Sequence, residues 1–300
     1  MSSAYLSGMG LLKGNATSRV LGGVLLILHN NSCRLEMCVD SWPIFTTAIC
    51  YSQKQHFSRR STEVIPDICT VFTKNPATLR SLLLNERVVK WRNGLRFRRI
   101  PSSHCHLIKE LASLSGLISQ NMGLTPLSTT ARRILTSVEN CSVHFLKVLP
   151  LPISSLDVSH AELVDAHLPY GGSRKSLNHM RACIRHLPNH CVKDEEGRPV
   201  SWMLSDELCE LRMAYTLPEH RRASHLLALS QALIRKMSSV GLPVYCSVNQ
   251  QNQATINPVT SLGFDACPSM ENISVLLICR GQSLRRLQIT PGLTLAVCVH

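Results

Sequence analysis

The sequence predicts a mixed α/β protein with two domains, and three observations support this prediction. The 300 residues suffice for one large domain or two of ordinary size, and 44% of them are hydrophobic, so the chain can bury a sizeable core. Apolar residues recur at helical spacing in some segments and alternate with polar residues in others. A proline-rich segment at 149–152 separates the two halves. The hydrophobic content also excludes an intrinsically disordered chain.

The N-terminal half contains strand-like and helix-like segments around a basic cluster. We predict a strand over Ile68–Phe72 and a helix over Leu79–Leu84. Between 87 and 99, six Lys or Arg residues are interleaved with Trp91 and Phe97. This composition suits a surface that binds single-stranded nucleic acid. We favour the alternative, an amphipathic strand pair with a solvated cationic face, because a run of charge usually marks an exposed surface.

The C-terminal half has a clearer hydrophobic rhythm. The elements predicted from it are a helix over 175–187 that ends at Pro188, a β-hairpin around the acidic turn Asp194–Gly197, an alternating strand over Leu208–Tyr215, a helix over 223–239 and a strand over Pro243–Val248. The succession of strand, turn and helix from Leu208 onward is the feature on which the functional interpretation depends.

The charge of the chain is unevenly distributed. The whole chain carries 32 Lys+Arg and 19 Asp+Glu, a net charge of +13 that suggests a polyanionic partner. Residues 36–155 carry 15 basic and 7 acidic residues, giving +8, whereas residues 156–267 carry 11 of each, giving 0. The excess therefore lies outside the half that contains the functional motifs, and we regard a nucleic-acid partner as disfavoured.

Cysteine spacing argues against a disulfide framework and against a metal site. The 13 Cys residues are odd in number and form no C-x-x-C pair, which favours a reducing compartment. His104-Cys105-His106 comes nearest to a metal motif, but three adjacent residues cannot all face one ion. We therefore expect no metal.

The N-terminal region gives a weak indication of targeting. Its longest apolar stretch, Val20–Leu28, is too short to cross a membrane, so we expect no transmembrane segment. Residues 1–35 carry three basic residues and no acidic one, which is typical of a mitochondrial presequence. A cytoplasmic or endoplasmic-reticulum-associated location is the alternative.

A basic turn between a strand and a helix predicts an anion-binding site. The N–H groups at a helix start and the helix dipole both favour phosphate. Arg221 and Arg222 precede the predicted helix and would add positive charge to that site.

Four stretches of the sequence resemble the glycine N-acyltransferase family of the GNAT acyltransferase superfamily. They are Val39–Pro43, Gly197–Trp202, Glu210–Arg221 and Gly241–Tyr245, and the resemblance spans roughly Glu36–Pro268. It implies tandem GNAT-like halves, each a twisted mixed sheet flanked by helices. The implied divisions are an unmatched segment with a possible targeting role at 1–35, an N-terminal half at 36–155, an acyl-CoA-binding half at 156–267 and an unmatched tail at 268–300.

The resemblance implies transfer of an acyl group from acyl-CoA to the amine of glycine or a related amino acid. Acyl-CoA would be a co-substrate, with no tightly bound cofactor, and we expect a monomer. Glu210 matches the position of the family's general base; without the resemblance it would read as an exposed strand carboxylate paired with Arg212. The implied acyl-CoA-binding residues are Met213, Ala214, Tyr215, Arg221, Arg222, Ala223, Ser224, His225, Leu226 and Asn252.

The sequence departs from the family pattern at several positions. Ser224 and Leu226 stand where the family has small, flexible residues, so we expect weaker CoA binding. Pro258 falls inside an expected short helix. The unmatched tail lacks the usual last strand, which would leave an unpaired sheet edge near the acceptor site. A catalytically impaired relative that acts as a binding or interaction protein is therefore an alternative function.

Overall fold

The structure is a computed structural model that describes residues 18–128 and 152–279. Within these ranges the description omits residues 30, 32, 43, 53–66, 87, 90, 92–94, 124, 169–170, 249–255, 258, 261, 263 and 267–272. The described elements confirm the predicted mixed α/β class. They fall into two compact units, one holding the elements up to residue 123 together with 273–279, and the other holding the elements between residues 125 and 266. The boundaries predicted at 35, 155 and 267 stay predictions.

The helices and strands follow one another in a fixed order. They are α1 (Ser18–His29), β1 (Leu35–Val39), β2 (Thr47–Ser52), β3 (Asp67–Thr73), α2 (Pro76–Leu84), β4 (Leu95–Ile100), α3 (Ser102–Leu114), β5 (Leu117–Gly123), β6 (Thr125–Ser128), β7 (Ile153–Ser154), α4 (Ala161–Ala166), α5 (Arg174–His186), β8 (Asn189–Lys193), β9 (Pro199–Ser205), β10 (Leu211–Thr216), α6 (His225–Ser239), β11 (Tyr245–Val248), β12 (Asp265–Ala266) and β13 (Ile273–Cys279). Short 3-10 turns lie at Val158–His160 and Pro218–His220.

The first unit is built on a six-stranded mixed sheet in the order β1-β2-β3-β4-β13-β5. Its pairs are antiparallel except β3 with β4. The predicted strand over 68–72 and the predicted helix over 79–84 are confirmed as β3 and α2. Helix α2 begins at Asn75, whose side chain accepts the N–H of Ala77, and Pro76 occupies the first helical position, where it sacrifices no hydrogen bond.

The basic stretch at 87–99 differs from both interpretations made from the sequence. Its described residues include one strand, β4, which begins at Leu95. Trp91 and Phe97 are buried with their ring centroids 5.8 Å apart, and the Trp91 indole donates to the Leu83 carbonyl. Arg98 is only 5% exposed, so the cationic face is not fully solvated. The aromatic residues belong to the core and do not form a base-stacking surface.

The tail contributes strand β13 to this sheet. β13 pairs along its length with β5 and also pairs with β4, so it lies inside the sheet of the first unit. Residues 280–300 lie outside the described part of the chain. Among the described strands, β11 lies at the edge of its three-stranded sheet, because it pairs only with β6, from Tyr245 to Val248. The expected unpaired edge near the acceptor site stays a prediction.

The second unit contains a four-stranded antiparallel sheet, β10-β9-β8-β7, and a three-stranded sheet, β11-β6-β12. Helix α6 packs on β8, β9 and β10, with Leu229, Leu233 and Met237 among its buried residues. Helix α5 begins with a capping box at Ser173 and packs on α4 and β9. The predicted helices, hairpin and strands of this half are confirmed to within a few residues.

None of the helices in the described part of the chain is both long enough and apolar enough to span a membrane.

Candidate active site

The candidate base, Glu210, lies at the end of a tight buried turn between β9 and β10. Asp206 closes this turn, because its carboxylate accepts the N–H groups of Leu208 and Glu210, each at 2.9 Å. The Asp206 N–H in turn donates to the Glu210 carbonyl at 2.9 Å. Glu210 is 1% exposed, so its carboxylate is held in a protein environment rather than in bulk water.

The burial of Glu210 corrects two expectations. Glu210 is not an exposed strand carboxylate, and the described partner of Arg212 is Asp206, with 3.5 Å between Nη1 and Oδ2. Strand β10 also begins at Leu211, not at Leu208, because residues 206–210 form the turn. The expected alternation fails further along, where Met213, Ala214 and Tyr215 are all buried.

A β-bulge in β10 explains that failure. The pairing with β9 shifts between Arg212, opposite Leu204, and Tyr215, opposite Trp202, so Met213 and Ala214 together face one residue of β9. Met213 has a positive φ of 55°, which is uncommon for a residue with a side chain. A bulge interrupts the regular ladder of hydrogen bonds and redirects backbone N–H and C=O groups. Part of β10 can therefore present backbone groups to a ligand.

Glu210, the residue before β10, lies beside the first residue of β11, and the two strands then belong to different sheets. A parallel bridge joins Glu210 to Tyr245, and the Tyr245 hydroxyl donates to the Leu208 carbonyl. Beyond this bridge β10 pairs with β9, whereas β11 pairs with β6. The bulge at Met213 thus lies on the strand that leads away from the bridge, and Glu210 lies at the point where the two strands meet.

The basic turn between β10 and α6 has an unusual backbone. Arg222 and Ser224 both have positive φ values, 64° and 58°. Ser224 is the N-cap residue of α6, but its hydroxyl makes no capping hydrogen bond in the described structure. The turn therefore adopts the conformation for which glycine is best suited, although no glycine is present.

The cationic side chains of this turn are accessible. Arg221 and Arg222 are exposed at the start of the 15-residue helix α6. The Arg221 Nε donates to the Thr216 carbonyl at 3.2 Å, and its guanidinium lies 5.7 Å from the Tyr215 ring centroid. Positive side chains and a helix N-terminus at one place favour an anion.

The remaining predicted residues differ in their accessibility. His225 is buried as the first residue of α6, and burial together with the nearby His220 lowers the pKa of its imidazole. Ala223 and Leu226 are half-buried in the same segment. Asn252 and Pro258 lie outside the described residues.

Three features of the site were missed in the sequence. Asp206 closes the turn that holds Glu210, Tyr245 fixes the turn from β11, and the bulge interrupts β10. An Asp four residues before Glu210 is a recognisable turn signal. The tyrosine contact and the bulge depend on tertiary pairing and leave no local pattern in the sequence.

Comparison with known proteins identifies the family. Two family models for aralkyl acyl-CoA:amino acid N-acyltransferases match the chain, one over residues 16–188 and the C-terminal one over residues 190–273. This chain belongs to that family. An aralkyl acyl-CoA:amino acid N-acyltransferase is a transferase whose substrates are acyl-CoA and an amino acid, as the sequence predicted.

Individual relatives of this acyltransferase cover most of its length. The glycine N-acyltransferase-like protein Keg1 of Mus musculus is 31% identical over 261 residues, covering 82% of this chain and 86% of that protein. The glycine N-acyltransferase of Rattus norvegicus is 30% identical over 248 residues, covering 78% and 82%. A Drosophila protein solved by X-ray crystallography has a TM-score of 0.68 at 15% identity, covering 92% and 96%, and shares the fold.

Proposed function

We propose that this acyltransferase forms N-acylglycines, with Glu210 as the general base. The observation that carries the proposal is the position of Glu210, a buried carboxylate at the junction of β10 and β11 and three residues before the bulge. A carboxylate held at a fixed point beside redirected backbone groups combines a proton acceptor with hydrogen-bonding groups for a substrate.

The reaction requires only a base and a polarised thioester. Glu210, directly or through water, accepts a proton from the glycine ammonium group. The amine nitrogen then attacks the thioester carbonyl, an N–C bond forms, and the C–S bond breaks to release the CoA thiolate. The nitrogen loses a second proton as the amide forms, and the thiolate takes up a proton to become the CoA thiol. Backbone N–H groups near Met213–Tyr215 would stabilise the oxyanion that develops on the carbonyl.

Two parts of the structure support the acyl-CoA site. The extended pantetheine arm carries amide groups that can pair with the backbone of β10 where the bulge interrupts its regular ladder. The pyrophosphate would bind at the start of α6, where Arg221 and Arg222 are exposed. We propose roles in these two places for Met213, Ala214 and Tyr215, and for residues 221–226; Asn252 remains a sequence-based proposal.

Glycine is proposed as the acceptor for two reasons. The stretch Glu210–Arg221 resembles glycine N-acyltransferases, and several relatives carry that name, including the human one at 27% identity. The acceptor and acyl preferences can be measured together in a matrix of acyl-CoAs against glycine and glutamine. Faster thiol release with glutamine than with glycine, for every acyl-CoA, would overturn the choice of acceptor.

A Glu210→Gln variant tests the base. Glutamine keeps the size of the side chain but cannot accept the proton, so kcat should fall by about 10²- to 10⁴-fold while KM for acyl-CoA changes little. Glu219→Gln is the matched control, because Glu219 is an exposed glutamate in the following 3-10 turn. Equal rates in Glu210→Gln and the wild type would remove Glu210 from the mechanism. Absence of turnover with every substrate pair would favour the catalytically impaired alternative.

We also propose a mitochondrial location, which the basic, acid-free composition of residues 1–35 supports. A fluorescent fusion of the full chain should co-localise with a mitochondrial marker, and the same fusion carrying Lys13→Glu and Arg19→Glu should not. Identical cytoplasmic or reticular patterns for both fusions would overturn this proposal.

A further inference from the structure

Three potential metal ligands lie together in the second unit, on the side of the 206–210 turn that faces helix α5. His179 and Cys183 are four residues apart on α5 and therefore share one face of the helix. Glu207 reaches them from the turn between β9 and β10. The His179 Nε2 lies 3.5 Å from the Cys183 Sγ and 3.5 Å from the Glu207 Oε2. One potential ligand atom from each residue lies within 4.8 Å of the other two.

The two separations measured from the His179 Nε2 fit a tetrahedral ion. With Zn–S near 2.3 Å and Zn–N or Zn–O near 2.0–2.1 Å, tetrahedral ligand atoms lie about 3.3–3.6 Å apart. Both separations of 3.5 Å fall in that range. Imidazole, thiolate and carboxylate together are a donor set that zinc prefers, and three protein ligands leave a fourth position for water or another small ligand.

The surroundings of the three residues also suit a cation. The Glu207 side chain is 6% exposed, so a cation bound by its carboxylate would be held largely away from water. The His179 side chain is 40% exposed, which provides an entry path from solvent. Asp206 is directed to the backbone of its own turn and to Arg212, so the turn can keep its shape while Glu207 binds an ion.

We propose that His179, Cys183 and Glu207 form a binding site for a zinc-like divalent cation. The ion would link α5 to the turn that ends at Glu210, and so would stabilise the second unit. The site differs from the sequence-based expectation of no metal, which considered adjacent residues and C-x-x-C pairs; the His-x-x-x-Cys spacing on a helix was the local signal that could have been used.

The test is metal binding by the full-length protein after treatment with a chelator. Zn²⁺ titrated against a chromophoric chelator should bind with a stoichiometry of one ion per chain, and binding should raise Tm. Co²⁺ in place of Zn²⁺ should produce a thiolate-to-metal charge-transfer absorption. A metal-free wild type that neither binds Zn²⁺ nor changes its Tm would overturn the proposal.

Matched variants assign the ligands. Cys183→Ser should abolish the charge-transfer absorption, and Cys183→Ser and Glu207→Gln should each weaken Zn²⁺ affinity by at least the roughly 10- to 100-fold that loss of an outer-shell partner costs. His186→Ala is the control, because His186 is exposed on the same helix. Affinity within twofold of the wild type in both ligand variants would place the ion elsewhere and overturn the proposal. Should Cys183→Ser fail to fold by circular dichroism, the near-isosteric Glu207→Gln variant decides by its affinity alone.

Discussion

The turns at the two ends of β9 have the same backbone geometry but different surroundings. In Asp194–Arg198 and in Asp206–Glu210, the first Asp N–H donates to the carbonyl of the fifth residue at 2.9 Å. The Asp carboxylate accepts the N–H of the fifth residue, at 2.7 Å and 2.9 Å respectively. The fourth residue is left-handed in both, Gly197 with φ 79° and Cys209 with φ 64°.

What differs is how each turn is covered. The first turn is largely exposed, and its Asp194 pairs with an Arg198 side chain that is 74% exposed. The second is buried, since α5 contacts it through Glu207 and the Tyr245 hydroxyl of β11 bonds to its backbone. The same local geometry therefore gives a solvated connection in one place and a candidate active site in the other, and the tertiary contacts decide between them.

The largest difference between the two turns should follow removal of the Asp side chain. Asp206→Ala leaves two buried N–H groups and Arg212 without a buried acceptor, so we expect a loss of about 3 kcal/mol in the free energy of unfolding. Asp194→Ala should produce a much smaller fall, because water replaces the lost acceptor. Urea denaturation of both variants measures the contrast, and equal shifts in the midpoint would show that burial does not distinguish the turns.

A second prediction concerns the turn at the start of α6, which resembles these two in its left-handed residues. Ser224→Gly should raise the free energy of unfolding by about 1 kcal/mol, because Ser224 has a φ of 58°. It should also bind CoA more tightly, as the backbone N–H groups can approach phosphate more closely. Calorimetric titration with acetyl-CoA and benzoyl-CoA measures the affinity.

Ala223→Gly is the matched control for Ser224→Gly. Ala223 is the neighbouring residue and is not among the described residues with positive φ, so glycine there should lower stability rather than raise it. A Ser224→Gly protein with neither higher stability nor tighter CoA binding would contradict the idea that this position limits the anion site.

A third and similar effect should distinguish the left-handed residues of the two β9 turns. Gly197→Ala should lower the free energy of unfolding by about 1 kcal/mol. The whole effect should come from backbone conformation, since a Cβ there meets nothing within 4 Å. In Cys209→Gly, relief of the left-handed backbone should raise the free energy of unfolding by about the same amount. Loss of the buried side chain should lower it again, so the net change should be small. Chemical denaturation of both variants checks this asymmetry, and a clear gain from Cys209→Gly would contradict it.

Much of this architecture could be predicted from the sequence because it is local. The helix over 175–187 and the hairpin at Asp194–Gly197 follow from apolar spacing and turn residues, and both are present. The bulge at Met213 could not be predicted, because it depends on the register between β10 and β9. The position of β13 could not be predicted either, since its partners β4 and β5 lie more than 100 residues away in the sequence.

The candidate site shows the same division. The role of Glu210 came from a resemblance in sequence, whereas Arg221 and Arg222 came from the basic turn before a predicted helix. The structure adds that the carboxylate is buried and the two arginines are exposed. The basic stretch at 87–99 suggested an exposed surface, but Trp91, Phe97 and Arg98 are buried. Composition does not reveal which face of a strand is buried. Charge alone therefore did not locate a site in this chain; backbone geometry and burial were both needed.

The smallest predicted effect concerns the pH dependence of stability. Burial, and then the nearby His220, lower the pKa of His225 below its ordinary value of 6.5. The folded protein therefore keeps this imidazole neutral at a pH where the unfolded chain begins to bind a proton. Its contribution to stability is fully present above pH 6.5, and it is lost progressively as the pH falls from there through the pKa of the folded state.

Replacing His225 removes that contribution and leaves the others. Tm of the wild type should fall more steeply between about pH 7 and pH 5 than Tm of His225→Asn. Differential scanning calorimetry across this range measures the slopes. Parallel curves for His225→Asn and the wild type would mean that His225 exchanges protons equally in both states. The burial of this imidazole would then have no effect on its protonation, and the contrast between buried and solvated positions would not extend to His225.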